Sequence, residues 1–393
     1  MRIAQVAPLW ELVPPKAYGG TELVVHLLSE EMARRGHEVT LFAVAGSQTL
    51  AKLEACAPIA LRELESQIQQ DKTHCTVMAY ELKMLQDIFQ RAGEFDIIHN
   101  HLGFQALPFA DFVDTPVVTT LHNALSPEPV RKLFFRNAHL PYISISDYQQ
   151  KLWPELNYAA TIYHGIDLDR FEPCYEHRGK DYLAFLGRLS PEKGPHHAIH
   201  IAKELGMKLV LAGKIDRVDR QFYDSELAHL VDGEQIVYVG EVGHEQKVEL
   251  LRNAAATLCP IEWPEPFGLV MIESMACGTP VFALRDGSVP EVIDQGVSGA
   301  IAGSVEELLE AVRRYRDFDR RLVRRVAEER FSARRMVDDH LRLYEALVAR
   351  SGVPKTRWGL GSRSSRVREG VGEMAQPPLT PSQVAERKHA ALG

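Results

Sequence analysis

The stretch Cys259-Pro260-Ile261-Glu262-Trp263-Pro264-Glu265-Pro266-Phe267-Gly268-Leu269-Val270-Met271-Ile272-Glu273-Ser274-Met275-Ala276-Cys277-Gly278-Thr279-Pro280 constrains this chain more than any other part of it. The apolar residues up to Cys259 predict the end of a buried strand. A proline-containing loop with Glu262 and Glu265 follows, and a helix is predicted from about Phe267 to a stop at Gly278. A strand, a tight loop and a helix start form an anion site, because the first amides of a helix lack intrahelical partners and point outward with the positive end of its dipole. Gly268 and Leu269 are placed to approach a phosphate there. Glu265 precedes the site, and Glu273, eight positions later, reaches a polar group beyond it, for which a ribose hydroxyl is the expected partner.

Around this stretch, strand and helix patterns alternate in two series, which predicts parallel sheets. Residues 2–7 read as a buried strand. After a proline-rich loop, Tyr18-Gly19-Gly20-Thr21-Glu22 opens an amphipathic helix ending at Arg34-Arg35-Gly36-His37, with Thr21 or Gly20 as the expected cap. A strand at 38–44, a polar loop around Gly46-Ser47-Gln48, a helical pattern over 76–92 and strands at 95–99, 116–121, 142–146 and 160–163 complete the first series. The polar segment with Pro173 and Gly179 marks a linker. Strands at 182–186, 208–213, 236–240 and 280–283 belong to the second series. The predicted organisation is a first domain at 1–171, a linker at 172–180, a second domain at 181–332, a helix at 333–349 returning to the first domain, and a disordered tail at 350–393.

His99-Asn100-His101 invites a metal reading, but no nearby cysteine or carboxylate constellation completes a coordination shell. At the carboxyl end of a parallel strand, His101 is expected to line a ligand cleft instead. Asp167 and Asp169 fall at a strand-to-linker turn and are assigned no metal. Arg131-Lys132-Leu133-Phe134-Phe135-Arg136 reads as a helix turn with one buried face, with contact to an acceptor or an anionic lipid surface as the alternative. Arg313, Arg314, Arg320, Arg321, Arg324 and Arg325 read as a solvated, ion-paired helix face.

Glu265 and Glu273, with Pro266-Phe267-Gly268 between them, resemble the signature of retaining family-4 glycosyltransferases of the GT-B fold, also called glycosyl transferases group 1. Gly187-Arg188-Leu189-Ser190-Pro191-Glu192-Lys193-Gly194 resembles that family's Gly-Arg…Lys-Gly loop, and Pro116 to His122 its strand-then-histidine pattern. The resemblance covers about residues 1–349. It implies an α/β fold of two facing Rossmann-like domains with a cleft between them. It also implies transfer of a hexose from a nucleotide-diphosphate sugar to an acceptor, with retention of configuration; the acceptor is a sugar, a lipid-linked glycan or a small molecule.

By the same resemblance Glu265 faces the donor sugar, the Gly268 and Leu269 amides hold the diphosphate, and Glu273 binds the ribose. His122 lies near donor sugar and acceptor, and Gly19 and Gly20, across the cleft from the diphosphate, contact donor or acceptor. Arg188 and Lys193 form the cationic pair that stabilises a departing diphosphate, a task suited to a guanidinium fork and an ammonium. The expected catalytic set is His122, Glu265, Arg188 and Lys193. The expected donor-binding set is Gly19, Gly20, Arg188, Lys193, Gly268, Leu269 and Glu273. The implied mechanism needs no metal and no cofactor beyond the sugar nucleotide. Two departures stand out. His164-Gly165-Ile166-Asp167 has His164 where the family usually has asparagine, and Asp286-Gly287-Ser288-Val289-Pro290-Glu291 has Ser288 for the second glycine of Gly-Gly-x-Pro-Glu. A nucleotide-sugar epimerase and a non-catalytic sugar-nucleotide binder are the alternatives.

The 393 residues, 45% of them hydrophobic, suffice for more than one core, and a net charge of −8 argues against a nucleic-acid partner. Five cysteines without close spacing suggest neither a disulfide framework nor a zinc site. No apolar run reaches the ~20 residues of a membrane span, and the N-terminus lacks a signal-peptide pattern. A cytoplasmic protein without stable membrane insertion is expected, with a peripheral position at the inner membrane face left open by the 131–136 segment.

Overall fold

Runs such as Ile3-Ala4-Gln5-Val6 and Leu183-Ala184-Phe185 are buried at every position, so they are stable only in sheets covered on both faces. Two such sheets form in the computed structural model, which describes residues 1–17, 19–67, 70–123, 128–176 and 182–351. The first holds β1 (Arg2–Val6), β2 (Glu38–Val44), β3 (Lys52–Ala57), β4 (Ile97–Asn100), β5 (Val117–Thr120), β6 (Tyr142–Ser144) and β7 (Tyr158–Thr161), in the order β3-β2-β1-β4-β5-β6-β7. The second holds β8 (Tyr182–Leu186), β9 (Lys208–Ala212), β10 (Ile236–Tyr238), β11 (Ala256–Cys259), β12 (Val281–Leu284) and β13 (Gly299–Ala302), in the order β10-β9-β8-β11-β12-β13. Every pairing is parallel; Ile3 lies opposite Ile97 in the first sheet, and Ala256 opposite Leu183 in the second. This is the α/β architecture of paired Rossmann-like sheets that the sequence led us to expect.

The strand order reverses direction beside the first strand of each sheet, between β1 and β4 and between β8 and β11. Loops leaving the carboxyl ends of such neighbours turn to opposite faces and open a crevice between them. The glycine loop follows β1, His101 follows β4, the Arg188 loop follows β8 and the Glu265 loop follows β11. Topology alone therefore gathers most of the candidate residues at crevice edges.

Both sheets belong to one compact unit, Met1–Pro354. Ile166 N–H donates to Phe331 O at 2.9 Å and Ala333 N–H donates to Ile166 O at 2.8 Å, which fastens the end of the first series to the last helix. That helix, Ala333–Arg350, packs Met336, Val337 and Tyr344 against Ile3, Val24, Leu28 and Val118 of the first sheet's layer. The Glu291 carboxylate accepts from the amides of Asp147 and Tyr148 at 2.7 and 2.6 Å, so a residue of the second series satisfies the start of the helix Asp147–Leu152.

Several local expectations are corrected. The first helix, Gly20–Arg34, starts behind Gly19 without a side-chain cap, and Thr21 lies inside it. β3 and the helix Leu61–Gln67 went unread, because an edge strand with a half-exposed face such as Lys-Leu-Glu-Ala-Cys-Ala has no continuous apolar run. The helix expected over 76–92 runs over Gln70–Gln90, starting earlier and ending two residues sooner. Arg320 and Arg324 are not solvated: both are buried, and their guanidinium groups donate to carbonyl ends, Arg320 to Cys174, Ala254 and Arg252, Arg324 to Phe171 and Ala276. Five fixed N–H donors suit such a cluster of unpaired carbonyls. The 131–136 segment lies in the helix Glu128–Arg136 with Phe134 buried. Positions 177–180 of the expected linker and the expected tail from 352 onward lie outside the described residues. No helix among the described residues is long and apolar enough to cross a membrane.

Candidate active site

A cavity of about 260 Å³ brings His122 and His164 from loops of the first series together with Arg188, Lys193, Glu265 and Gly268 of the second. A second cavity of about 200 Å³ adjoins it, reaching Gly19, Lys247 and Glu273; Gly20, Gly187 and Leu269 line both. The start of the helix Leu269–Ala276 thus stands between the two spaces. Gly268 caps that helix in a left-handed conformation, φ 80°, and a Cβ there would lie 2.5 Å from Met271 Cε. The left-handed backbone is what favours glycine here, since the Met271 methyl ends a flexible side chain that could shift aside, and the glycine leaves the helix's leading amides uncovered by a side chain of its own.

Glu265 is held rather than loose. Its Oε2 accepts from Trp263 Nε1 at 2.8 Å and forms an ion pair with Lys193 Nζ, which sits 5.2 Å from the centre of the Trp263 ring. The turn carrying Lys193 rests directly on this loop: Gly194 has φ 71°, and a Cβ there would lie 2.0 Å from Pro260 O. Ser288 supports the same loop from behind. Its N–H donates to Glu265 O at 2.9 Å and its hydroxyl to Phe267 O at 3.0 Å, so this buried serine braces the loop from a position where the resemblance implied glycine.

Arg188 stands among three carboxylates, ion-paired with Glu192 and lying 3.6 Å from Asp216 and 3.4 Å from Asp219. Burial pushes the Asp219 carboxyl above its usual range against the opposing pull of Arg188. Glu273 is buried beside the second cavity and ion-paired with Lys247 of the helix His244–Asn253.

His122 connects to a buried polar group behind it. His101 Nδ1 is 2.8 Å from His122 Nε2, and His101 Nε2 is 2.9 Å from Gln5 Oε1. Tyr344 of the last helix contacts His99 Nδ1, and His99 Nε2 is 2.7 Å from Thr120 Oγ1. The expectation for His101 is therefore corrected: it lines neither cavity and lies buried behind His122, bonded to Gln5 of β1 and with the His99 ring 3.8 Å from its own. His164 stacks on His122 with ring centres 5.3 Å apart and meets Phe267 edge-on. Burial holds His122 down at about 3 and His340 at about 4, and it keeps His99, His101 and His164 well below the usual imidazole range, with neighbouring histidines adding to the effect.

Among the described residues one group of possible metal ligands converges, His196, His197 and Glu262, whose donor atoms lie within 4.8 Å of one another. None of the three lines either cavity. Sequence reasoning missed Asp216, Asp219, Lys247, Trp263 and Gln5. For Gln5 there was a signal, a polar residue inside an otherwise apolar buried strand; for the counter-ions there was none.

Residues 18–170 match the family described as Glycosyltransferase Family 4, and residues 173–325 match that described as Glycosyl transferases group 1. The chain belongs to this glycosyltransferase family. A glycogen synthase of Mycobacterium tuberculosis is 28% identical over 343 residues, covering 76% of this chain and 81% of that one. A phosphatidyl-myo-inositol mannosyltransferase of Mycobacterium leprae is 28% identical over 369 residues, covering 80% and 93%. Among solved structures, AviGT4, a glycosyltransferase involved in avilamycin A biosynthesis, aligns with a TM-score of 0.65 at 25% identity, covering 89% of this chain and 98% of that one. The relatives differ in the sugars and acceptors their names imply, so family membership here carries glycosyl transfer without a substrate.

Proposed function

We propose that this glycosyltransferase moves a hexose from a nucleotide-diphosphate sugar to an acceptor hydroxyl with retention of configuration. The observation that carries the reading is the single cavity in which His122 faces the Lys193–Glu265 pair beside the Gly268 helix start. In this reading the second cavity takes the nucleoside, with Glu273 on the ribose. The Gly268 and Leu269 amides with Arg188 and Lys193 neutralise the diphosphate at the junction, and the hexose enters the first cavity. Gly19 and Gly20 close over the donor from the first series. The leaving group finds its cations in the protein itself, so the chemistry as proposed uses no cofactor.

Retention by double displacement would need a carboxylate nucleophile and a second acid or base. Among the described residues lining the first cavity, Glu265 is the one carboxylate, and it is already committed to Lys193 and Trp263. This favours front-face substitution: the anomeric C–O bond to the diphosphate breaks, the acceptor oxygen bonds to the same face, and the acceptor proton passes to the departing phosphate. Thermal-shift screening against UDP, GDP, ADP and their sugars tests the reading. One nucleotide series at about 100 times Kd should add about 2.7 kcal/mol of stability. Stabilisation by none of them at millimolar concentration would contradict it.

A further inference from the structure

We infer that Gln5 and His101 are positioning residues that fix the single proton of His122 on Nε2 and leave its Nδ1 as a hydrogen-bond acceptor at the sugar cavity. Donor and acceptor identities follow one another along the chain Tyr344–Gln5–His101–His122. The Gln5 amide nitrogen lies 3.3 Å from Tyr344 Oη and 3.6 Å from Met32 Sδ, and the sulfur can only accept. This orients the amide with Oε1 toward His101, 2.9 Å from Nε2. A carbonyl oxygen only accepts, so His101 carries its proton on Nε2 and offers a lone pair at Nδ1. That lone pair lies 2.8 Å from His122 Nε2, which must therefore be the N–H. Both rings are neutral at pH 7, since burial holds them far below the usual imidazole range. A neutral imidazole with a protonated Nε2 has its other lone pair on Nδ1.

The second branch agrees with this polarity. The Tyr344 hydroxyl, receiving the Gln5 N–H, donates to His99 Nδ1, so His99 donates from Nε2 to Thr120 Oγ1 at 2.7 Å. Two strands, β1 and β4, and the last helix thus converge to set one tautomer. The loop after β5 carries the ring whose remaining nitrogen no described residue bonds. Turning the Gln5 amide over would reverse every proton in the network and present an N–H to the sugar instead. Networks of this kind stand or fall together, because each member is buried and needs its partner. The chemical consequence is that the site accepts from a sugar hydroxyl at this point. The step rests on the placing of His122 at the sugar under the proposed function; the polarity of the network does not.

The test uses the full-length chain labelled with [15N]histidine, with the His122 signals assigned by their loss in His122→Gln. The expected result is one proton with its one-bond coupling to His122 Nε2 and a coupling across the hydrogen bond to His101 Nδ1. A proton found on His101 Nδ1, or no such bond, overturns the inference whatever the enzyme does. In the activity arm, His101→Leu should lower kcat about 10–10²-fold, the scale of one hydrogen bond lost at the reacting sugar, with nucleotide Kd within about threefold. His101→Asn, whose side-chain oxygen can stand where Nδ1 stood, should recover most of that loss. Equal loss in both variants, or parent turnover in His101→Leu, would reduce His101 to a space-filling residue. If the coupling is found but His122→Gln turns over normally, the network stands and the placing of His122 at the sugar fails.

Discussion

Lys193 is ion-paired with Glu265 across the mouth of the first cavity, and the two side chains are 24% and 11% exposed. The cation assigned to the phosphate and the carboxylate assigned to the sugar therefore neutralise one another before a donor arrives. Binding a diphosphate would share Lys193 between two anions and loosen its hold on Glu265. Glu265→Gln should then separate affinity from catalysis: kcat falls by roughly 10²–10⁴, while nucleotide diphosphate binds as well as before or a few-fold tighter. Calorimetry alongside turnover reads both quantities, and parallel loss of the two would remove Glu265 from the reacting sugar.

Arg188 lies among Glu192, Asp216 and Asp219, so Arg188→Ala does more than delete a phosphate contact. It leaves an acidic cluster beside the phosphate position. We expect kcat to fall by roughly 10²–10³, the scale for one preorganised donor, and affinity for a nucleoside diphosphate to fall far more than affinity for the nucleoside. Lys193→Ala should lower kcat on the same scale. Equal weakening of both ligands in Arg188→Ala would mean that Arg188 acts on the fold and not on the phosphate.

Glu273 and Lys247 should come apart by assay. Glu273→Ala is expected to weaken free nucleotide and sugar nucleotide alike by roughly 1.5–3 kcal/mol, the scale of a hydrogen bond to a charged group. Lys247→Ala strands a carboxylate whose side chain is only 6% exposed, and it should lower unfolding stability by roughly 3–5 kcal/mol, as expected for half of a buried ion pair. Urea unfolding and calorimetry separate the two. Full nucleotide affinity in Glu273→Ala would refute the ribose assignment.

The buried histidines set the sign of the acid response. Their folded values lie below the ordinary 6.5, so the unfolded chain binds more protons, and the stability present above about pH 6.5 is lost as pH falls toward the folded values. At pH 5, staying neutral costs about 2 kcal/mol for each of His122 and His340. Urea midpoints should drop steeply between pH 6.5 and 5, and His340→Leu should flatten that drop. A flat profile in the parent would show that the cluster is open to water.

The contrast between Gly268 and Gln5 shows what the sequence could reveal. The strand, loop and helix around Gly268 are contiguous, so the local pattern alone revealed the strand end and the helix start behind Gly268, and Arg188 and Lys193 share one short loop. The strand periods likewise gave two parallel sheets. The partners of Gln5 are 96 and 339 positions away in sequence, His101 and Tyr344, and no local pattern joins them. Asp216 and Asp219 reach Arg188 only because β9 lies beside β8. His101 was misplaced for a related reason: its position at a strand end was legible, while its side-chain partners Gln5 and His122 come from β1 and the loop after β5.

The central claim is transfer from a nucleotide sugar with retention of configuration, and the anomer first formed tests it most directly. The parent enzyme is mixed with whichever α-linked sugar nucleotide stabilises it most. Early proton spectra are recorded before mutarotation, with water standing in for the acceptor. The account predicts slow release of free sugar whose first-formed anomer is α. A first-formed β anomer, or a donor isomerised without release of sugar, would contradict it.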